Sequence, residues 1–346
     1  MLSSLRSLWS RTPETPGAAT PRPPLATVIS IEGLPPFVVA DHLRDSGGFP
    51  SMDWEAVHAW ACVGSDAQAN RGWTACGRAW LEHLGAHLGD QYRVDEGDTA
   101  RLLSSLTPNE ARATLQFMEK TPQRIVRILD GIAEVAPWGK DALIVFDDAE
   151  VYYRYVSRGY PEQGEFGFSS GMHIREGCSY FVTMKAELGA IEPVIAHEMT
   201  HACLAHLPIP AWLNEGLAVN TERRLTARPR PAITPHQMHQ MQMRFWNEHT
   251  IQTFWSGASF LRSDEGQTLS YELAATLVEQ MARLWPQFQS FAREASLDDG
   301  GASAALRHFD LDLGAAVCAL IERDPERAWS PDSTRWDVAP ERGAFS

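Results

Sequence analysis

Residues 191–220, IEPVIAHEMTHACLAHLPIPAWLNEGLAVN, restrict what this 346-residue chain can become more than any other stretch. They contain His197-Glu198-Met199-Thr200-His201, an H-E-x-x-H. On a helix, His197 and His201 stand one turn apart on one face. Two imidazole nitrogens so placed can share one zinc ion, at roughly 2.0–2.1 Å each. Glu198 lies one residue round, off the ligand axis but within reach of a water in the metal's open position, as a general base requires. Pro208 and Pro210 end this helix because neither can donate the next backbone hydrogen bond. Residues 211–221 then read as a second helix, with Trp212, Leu213, Leu217 and Ala218 as its apolar stripe and Glu215 in its first turns. A helix–turn–helix can return that carboxylate to the imidazole pair. Two histidines, one glutamate and an open position form the ligand set of a hydrolytic zinc site rather than a closed structural one.

A chance H-E-x-x-H would usually fall on a surface helix. Here Val194, Ile195, Met199, Ala202 and Leu204 frame the motif with apolar residues. The helix is therefore a packed one, and imidazoles and carboxylates inside it need partners. Other histidines make weaker ligands. His206 follows His201 too closely, and His236, His239 and His249 have no matching acid, so they are expected to be structural. Cys203 lies roughly 200° round the helix from His201 and reads as a small core residue.

AHEMTHACL followed by PAWLNEGLAV resembles the gluzincin metallopeptidases, in particular the thermolysin-like, peptidase MA-like domains with a short spacer before W-L-x-E-G-x-A. The resemblance is specific over about thirty residues and looser from Tyr92 towards Ala319. It implies one zinc ion per chain held by His197, His201 and Glu215, with Glu198 as catalytic base. Tyr271, near the start of a helix through Leu273, Leu277, Val278 and Met281, resembles the tyrosine that hydrogen-bonds the oxyanion in such domains. The fold implied is α+β, with a small sheet beside the zinc helix and a mainly helical C-terminal lobe. The resemblance also implies that strand 178–184 is an exposed edge, to which a substrate peptide adds as a further strand. The metzincin pattern fails, because Leu207 stands where it needs a third histidine. One departure matters: thermolysin-type sites put an acid four residues after the ligand glutamate to orient a ligand imidazole, and Val219 stands there. The second partner of that imidazole must come from elsewhere or be a backbone carbonyl.

The activity implied is zinc-dependent hydrolysis of a peptide or protein substrate. The alternative is a zinc-bound, catalytically silent domain that recognises a peptide or partner in the same cleft, and the intact Glu198 argues against it. A net charge of −14 and a pI near 5.3 speak against a nucleic-acid or anionic-membrane surface. Five widely spaced cysteines form no disulfide framework. No apolar run reaches 18 residues, and the first residues lack a signal-like apolar core, so a cytoplasmic protein without a transmembrane segment is expected.

The organisation expected is a disordered tether over 1–24, a mainly helical extension over 25–90, the zinc domain over 91–322 and a loosely ordered tail over 323–346. The extension opens with strand-like pieces at 27–31 and 37–39 and carries Trp54, Trp60, Trp73 and Trp80. Within the zinc domain, Thr107-Pro108-Asn109-Glu110 is a capping box with proline at the first helical position. Pro122 is expected to bend or split that helix. An apolar strand at 142–146, a helix beginning in 147–155, a polar glycine-rich stretch at 159–177 and the strand 178–184 lead to the zinc helix. Arg223, Arg224, Arg228 and Arg230 mark a basic loop. Asp298-Asp299-Gly300-Gly301 reads as a turn, since it lacks the acidic spacing of a calcium loop.

Overall fold

Three apolar strands buried on both faces send alternate side chains to opposite sides, which explains how one sheet holds two cores. The computed structural model describes residues 24–135, 139–159, 171–176, 178–185, 188–226, 233–325 and 327–336. In chain order the elements are β1 (Val28–Ile29), β2 (Phe37–Val38), β3 (Leu43–Ser46), β4 (Phe49–Met52), α1 (Trp54–Ala61) and α2 (Asp66–Leu88). Then come β5 (Arg93–Glu96), β6 (Ala100–Ser104), α3 (Pro108–Ile128), β7 (Asp141–Phe146), α4 (Ala149–Val156), β8 (Gly171–Glu176) and β9 (Cys178–Met184). The rest is helical: α5 (Leu188–Leu204), α6 (Ala211–Leu225), α7 (Pro235–Phe245), α8 (Thr250–Ser256), α9 (Glu265–Met281), α10 (Trp285–Glu294), α11 (Ala302–Phe309) and α12 (Leu313–Leu320). The protein is thus mixed α and β, dominated by helix, which agrees with the α+β class.

The main sheet has the order β5-β6-β7-β9-β8. Its middle pairings, β6 with β7 and β7 with β9, are parallel, and each outer strand is antiparallel to its neighbour. Successive strand residues face opposite sides. Leu102, Leu143, Val145 and Phe181 therefore enter the core formed with α3, α5, α6 and the later helices. Leu103, Ala142, Ile144, Phe146, Tyr180 and Val182 enter a second core with α2, α4 and the β1–β4 hairpins. The second core is aromatic: Trp80 packs on Tyr180 with centroids 4.8 Å apart, and the hydroxyls of Tyr155 and Tyr180 are 3.1 Å apart. Residues 25–90 thus contribute two short hairpins as well as helices, and they cover the sheet face opposite the H-E-x-x-H helix.

Three local expectations need correction. Strand 178–184 is not an edge, because β9 is hydrogen-bonded on one side to β7 and on the other to β8. The outer strand is β8, within the stretch whose glycines and polar residues hid it from pattern reading. Pro122 neither ends nor splits α3, which runs on to Ile128. The Thr121 hydroxyl donates to Phe117 O at 2.7 Å, next to the ladder position the proline leaves without a donor. The tail is not loose over residues 327–336. Trp329 is buried, Trp255 Nε1 donates to its carbonyl at 2.8 Å, and Gln252 bonds Ala328 O, Ser330 O, Asp332 N and Trp336 Nε1. The tether over 1–24 lies outside the described residues except for Pro24, and so does the tail beyond Trp336. No helix among the described residues is long and apolar enough to cross a membrane.

Candidate metal centre

The helix with the histidine pair is held from three sides. Ile191, Ile195, Ala196, Met199, Cys203 and Leu204 of α5 are buried in the first core, and α5 packs on α3, on α6 and on strands β8 and β9. A short turn through Pro208–Pro210 separates it from α6, whose first residues Trp212 and Leu213 are fully buried. Trp212 Nε1 donates to Gly300 O at 2.9 Å, in the glycine turn where Gly300 and Gly301 both have positive φ. The 298–301 segment is therefore a turn, as its composition suggests, and it anchors the start of α6.

This hairpin brings three side chains together. His197 Nε2 lies 3.3 Å and His201 Nε2 3.5 Å from Glu215 Oε2. One ligand atom from each of the three residues lies within 4.8 Å of the others. The imidazole rings are 4.8 Å apart and nearly perpendicular. Each ring is also held from behind. His197 Nδ1 is 3.2 Å from Glu222 Oε2, and His201 Nδ1 is 3.0 Å from Asn214 Oδ1. An oxygen acceptor at each Nδ1 fixes a proton there and turns each Nε2 towards Glu215.

Without a metal, the three groups hold one another in their charged forms. Burial alone would depress the His197 imidazole, but the carboxylates of Glu215 and Glu222 overcome it and hold it well above the ordinary histidine range. His201 is raised against the same burial, chiefly by Glu215. Burial would raise Glu215, yet the two imidazoles hold it well below the usual carboxylate range. Glu215 Oε2 is nonetheless buried with no aligned hydrogen bond. A buried carboxylate oxygen without a hydrogen, facing two ring nitrogens whose other nitrogens are already engaged, is what a divalent cation needs. The three residues fit a metal ion. The donor set alone does not decide which one.

Glu198 follows His197 on α5, is 8% exposed, and is close enough for its charge to raise both imidazoles. Tyr271 is on α9, which begins at Glu265, so the tyrosine sits in its second turn rather than at its head. Its ring centroid is 6.2 Å from that of His197 and 5.3 Å from that of the buried Phe260. The residues set aside in the sequence lie elsewhere. His206 faces Glu134 at 3.9 Å, His239 faces Glu322 at 3.3 Å, and His236 meets Gln240 at 3.0 Å. Cys203 is a core residue whose thiol is pushed up to about 12 by burial. Two site residues escaped sequence reading, Asn214 and Glu222. Asn214 directly precedes Glu215, and Glu222 follows it by seven positions, two helical turns along the same face. That heptad spacing was the available signal.

No known family model matches the chain, and no characterised protein matches its sequence.

Proposed function

We propose that the chain is a zinc metallopeptidase of gluzincin type, with a thermolysin-like, peptidase MA-like arrangement, which hydrolyses peptide bonds. The observation that carries this reading is the convergence of His197 Nε2, His201 Nε2 and Glu215 Oε2, with both Nδ1 atoms engaged and Glu198 beside them on α5. His197, His201 and Glu215 hold the ion, and Glu222 and Asn214 orient the two imidazoles. When bound, zinc supplies Lewis acidity that polarises the attacking water and the scissile carbonyl. Glu198 accepts the proton of that water and afterwards delivers it to the leaving amine. Tyr271 donates a hydrogen bond to the oxygen on which charge develops. The same reading includes a cytoplasmic location.

The test is metal content by elemental analysis of wild type beside His201→Ala, followed by peptide hydrolysis with Glu198→Gln as control. About one zinc per chain in wild type, lost in His201→Ala, is expected. Glu198→Gln should keep the metal and lose turnover. A wild type that carries no zinc overturns the reading, and so does a Glu198→Gln protein that cleaves peptides as fast as wild type.

A further inference from the structure

Helices α6 and α9 pass each other at a separation set by individual atoms. A Cβ added at Gly216 would lie 2.6 Å from Ala274 O and 2.6 Å from Val278 Cγ2, so only glycine allows this approach. One turn along α6, the half-buried Asn220 commits both hydrogens of Nδ2, one to Gly216 O at 2.9 Å and one to Ala275 O at 2.8 Å. Both carbonyls belong to helix interiors, where each already has its own i+4 amide donor. The Asn220 bonds are therefore not caps: the bond to Gly216 O holds the amide against α6, and the bond to Ala275 O ties α6 to α9. Almost a turn further, Arg223 pairs with Glu272. The order of these contacts makes the helices antiparallel and fixes the α9 segment from Glu272 to Val278. Tyr271 lies at the end of that segment, one turn from Ala275 on the same face, with its ring beside His197.

We propose that Asn220, supported by the Arg223–Glu272 pair, is a positioning residue that sets Tyr271 against the His197–His201–Glu215 cluster. The proposal rests on the functional reading above. Glu215 and Asn220 share α6, and Tyr271 and Ala275 share α9, so the Asn220 bridge fixes the one distance that neither helix fixes alone. A displacement of about 1 Å at a group that meets the transition state costs on the order of a hundredfold in rate. Partial loosening should thus lower kcat by about tenfold and leave KM nearly unchanged, the signature of an interaction made only in the transition state.

The experiment uses Asn220→Leu, which keeps the branched side-chain shape and removes both donors, in the full chain. The first readout is independent of activity: 3-fluorotyrosine at position 271, with Co2+ loaded into the site, reports its distance from the metal through the 19F paramagnetic shift. Asn220→Leu should bind as much Co2+ as wild type and show a smaller shift. The second readout is a double-mutant cycle on peptide hydrolysis. Asn220→Leu should cost about tenfold in kcat when Tyr271 is present and less than about twofold in Tyr271→Phe. An unchanged 19F shift overturns the proposal, and so does an equal cost in both backgrounds; the functional reading survives either result. A wild type that binds no Co2+ removes the functional reading and this inference together. Should Asn220→Leu fail to fold, Glu272→Gln breaks the second tie at a partly exposed position. It should move the same two readouts in the same direction by less, and no movement in either would overturn the proposal.

Discussion

Replacing Glu222 tests whether the metal centre extends beyond its ligands. Its Oε2 lies 3.2 Å from His197 Nδ1, and 32% of its side chain remains exposed. Removing a partner of this kind from a ligand imidazole typically costs 10–100-fold in metal affinity, or about 1.4–2.7 kcal/mol. Solvent screens a carboxylate that is a third exposed, which places the expected loss near the lower end, about tenfold. Glu222→Gln keeps an acceptor for the Nδ1 proton and loses only the charge, so its affinity should fall between wild type and Glu222→Ala. The assay is competition for zinc against a fluorescent chelator at fixed pH and ionic strength. Asn214→Ala provides the comparison on the other ring. His201 is only 3% exposed, and an unpaired buried Nδ1–H costs about 1–3 kcal/mol, so that variant should also lose thermal stability without metal. A Glu222→Ala protein that binds zinc within twofold of wild type would refute the reasoning, because the 3.2 Å contact would then be incidental.

Other outcomes follow from the same geometry. In the metal-free protein the raised imidazoles stabilise the fold fully below their unfolded value of about 6.5, and that contribution is lost as pH rises through their higher folded values. The depressed Glu215 contributes above its unfolded value of about 4.3 and loses that contribution as pH falls through its lower folded value. The melting temperature of the apoprotein should therefore be highest between those two ordinary values and fall above neutrality. Zinc affinity should rise across the upper window with proton release, measurable by calorimetry in two buffers; apoprotein stability that climbs above neutral pH would contradict this. Gly216→Ala forces a methyl against the Ala274 carbonyl and should destabilise by about 1–3 kcal/mol in chemical denaturation. Of the four described thiols, exposed Cys62 should react quickly with a thiol reagent in native protein. Cys76 and Cys203, both pushed up to about 12 by burial, should react only on unfolding, as peptide mapping would show.

The clustering of His197, His201 and Glu215 was legible because helical spacing turns sequence separation into geometry. A separation of four residues from His197 to His201 means one face, and a proline-limited turn leaves few ways to fold α6 back. The capping box at Thr107 and Glu110 was legible for the same local reason, and both of its hydrogen bonds form. What escaped depends on contacts made across the chain. Nothing local in Cys178–Met184 says that Gly171–Glu176 lies outside it, since apolar character marks a strand without marking its neighbours. Pro122 was misread because propensity treats it as a breaker, whereas packing of Ile125 and Met118 in the core keeps α3 continuous. The sequence identified Tyr271 only through a resemblance. Its place beside His197 depends on Gly216, Asn220 and Arg223, a relation between two helices about fifty residues apart that no periodicity reveals.

The strap formed by residues 327–336 also bears on how the protein is made. Gln252 and Trp255 of α8 bind it, and the same helix packs Phe254 and Trp255 around Trp212 at the start of α6, which carries Glu215. A ribosome adding roughly 5–20 residues per second completes α6 about 5–20 seconds before it delivers Trp329. During that interval the sheet and its aromatic core can already close, while the face of the helical layer that receives Trp329 has nothing to cover it. The growing chain is then most exposed to aggregation at its helical half, and a chaperone that acts on this protein during synthesis would find its apolar target there.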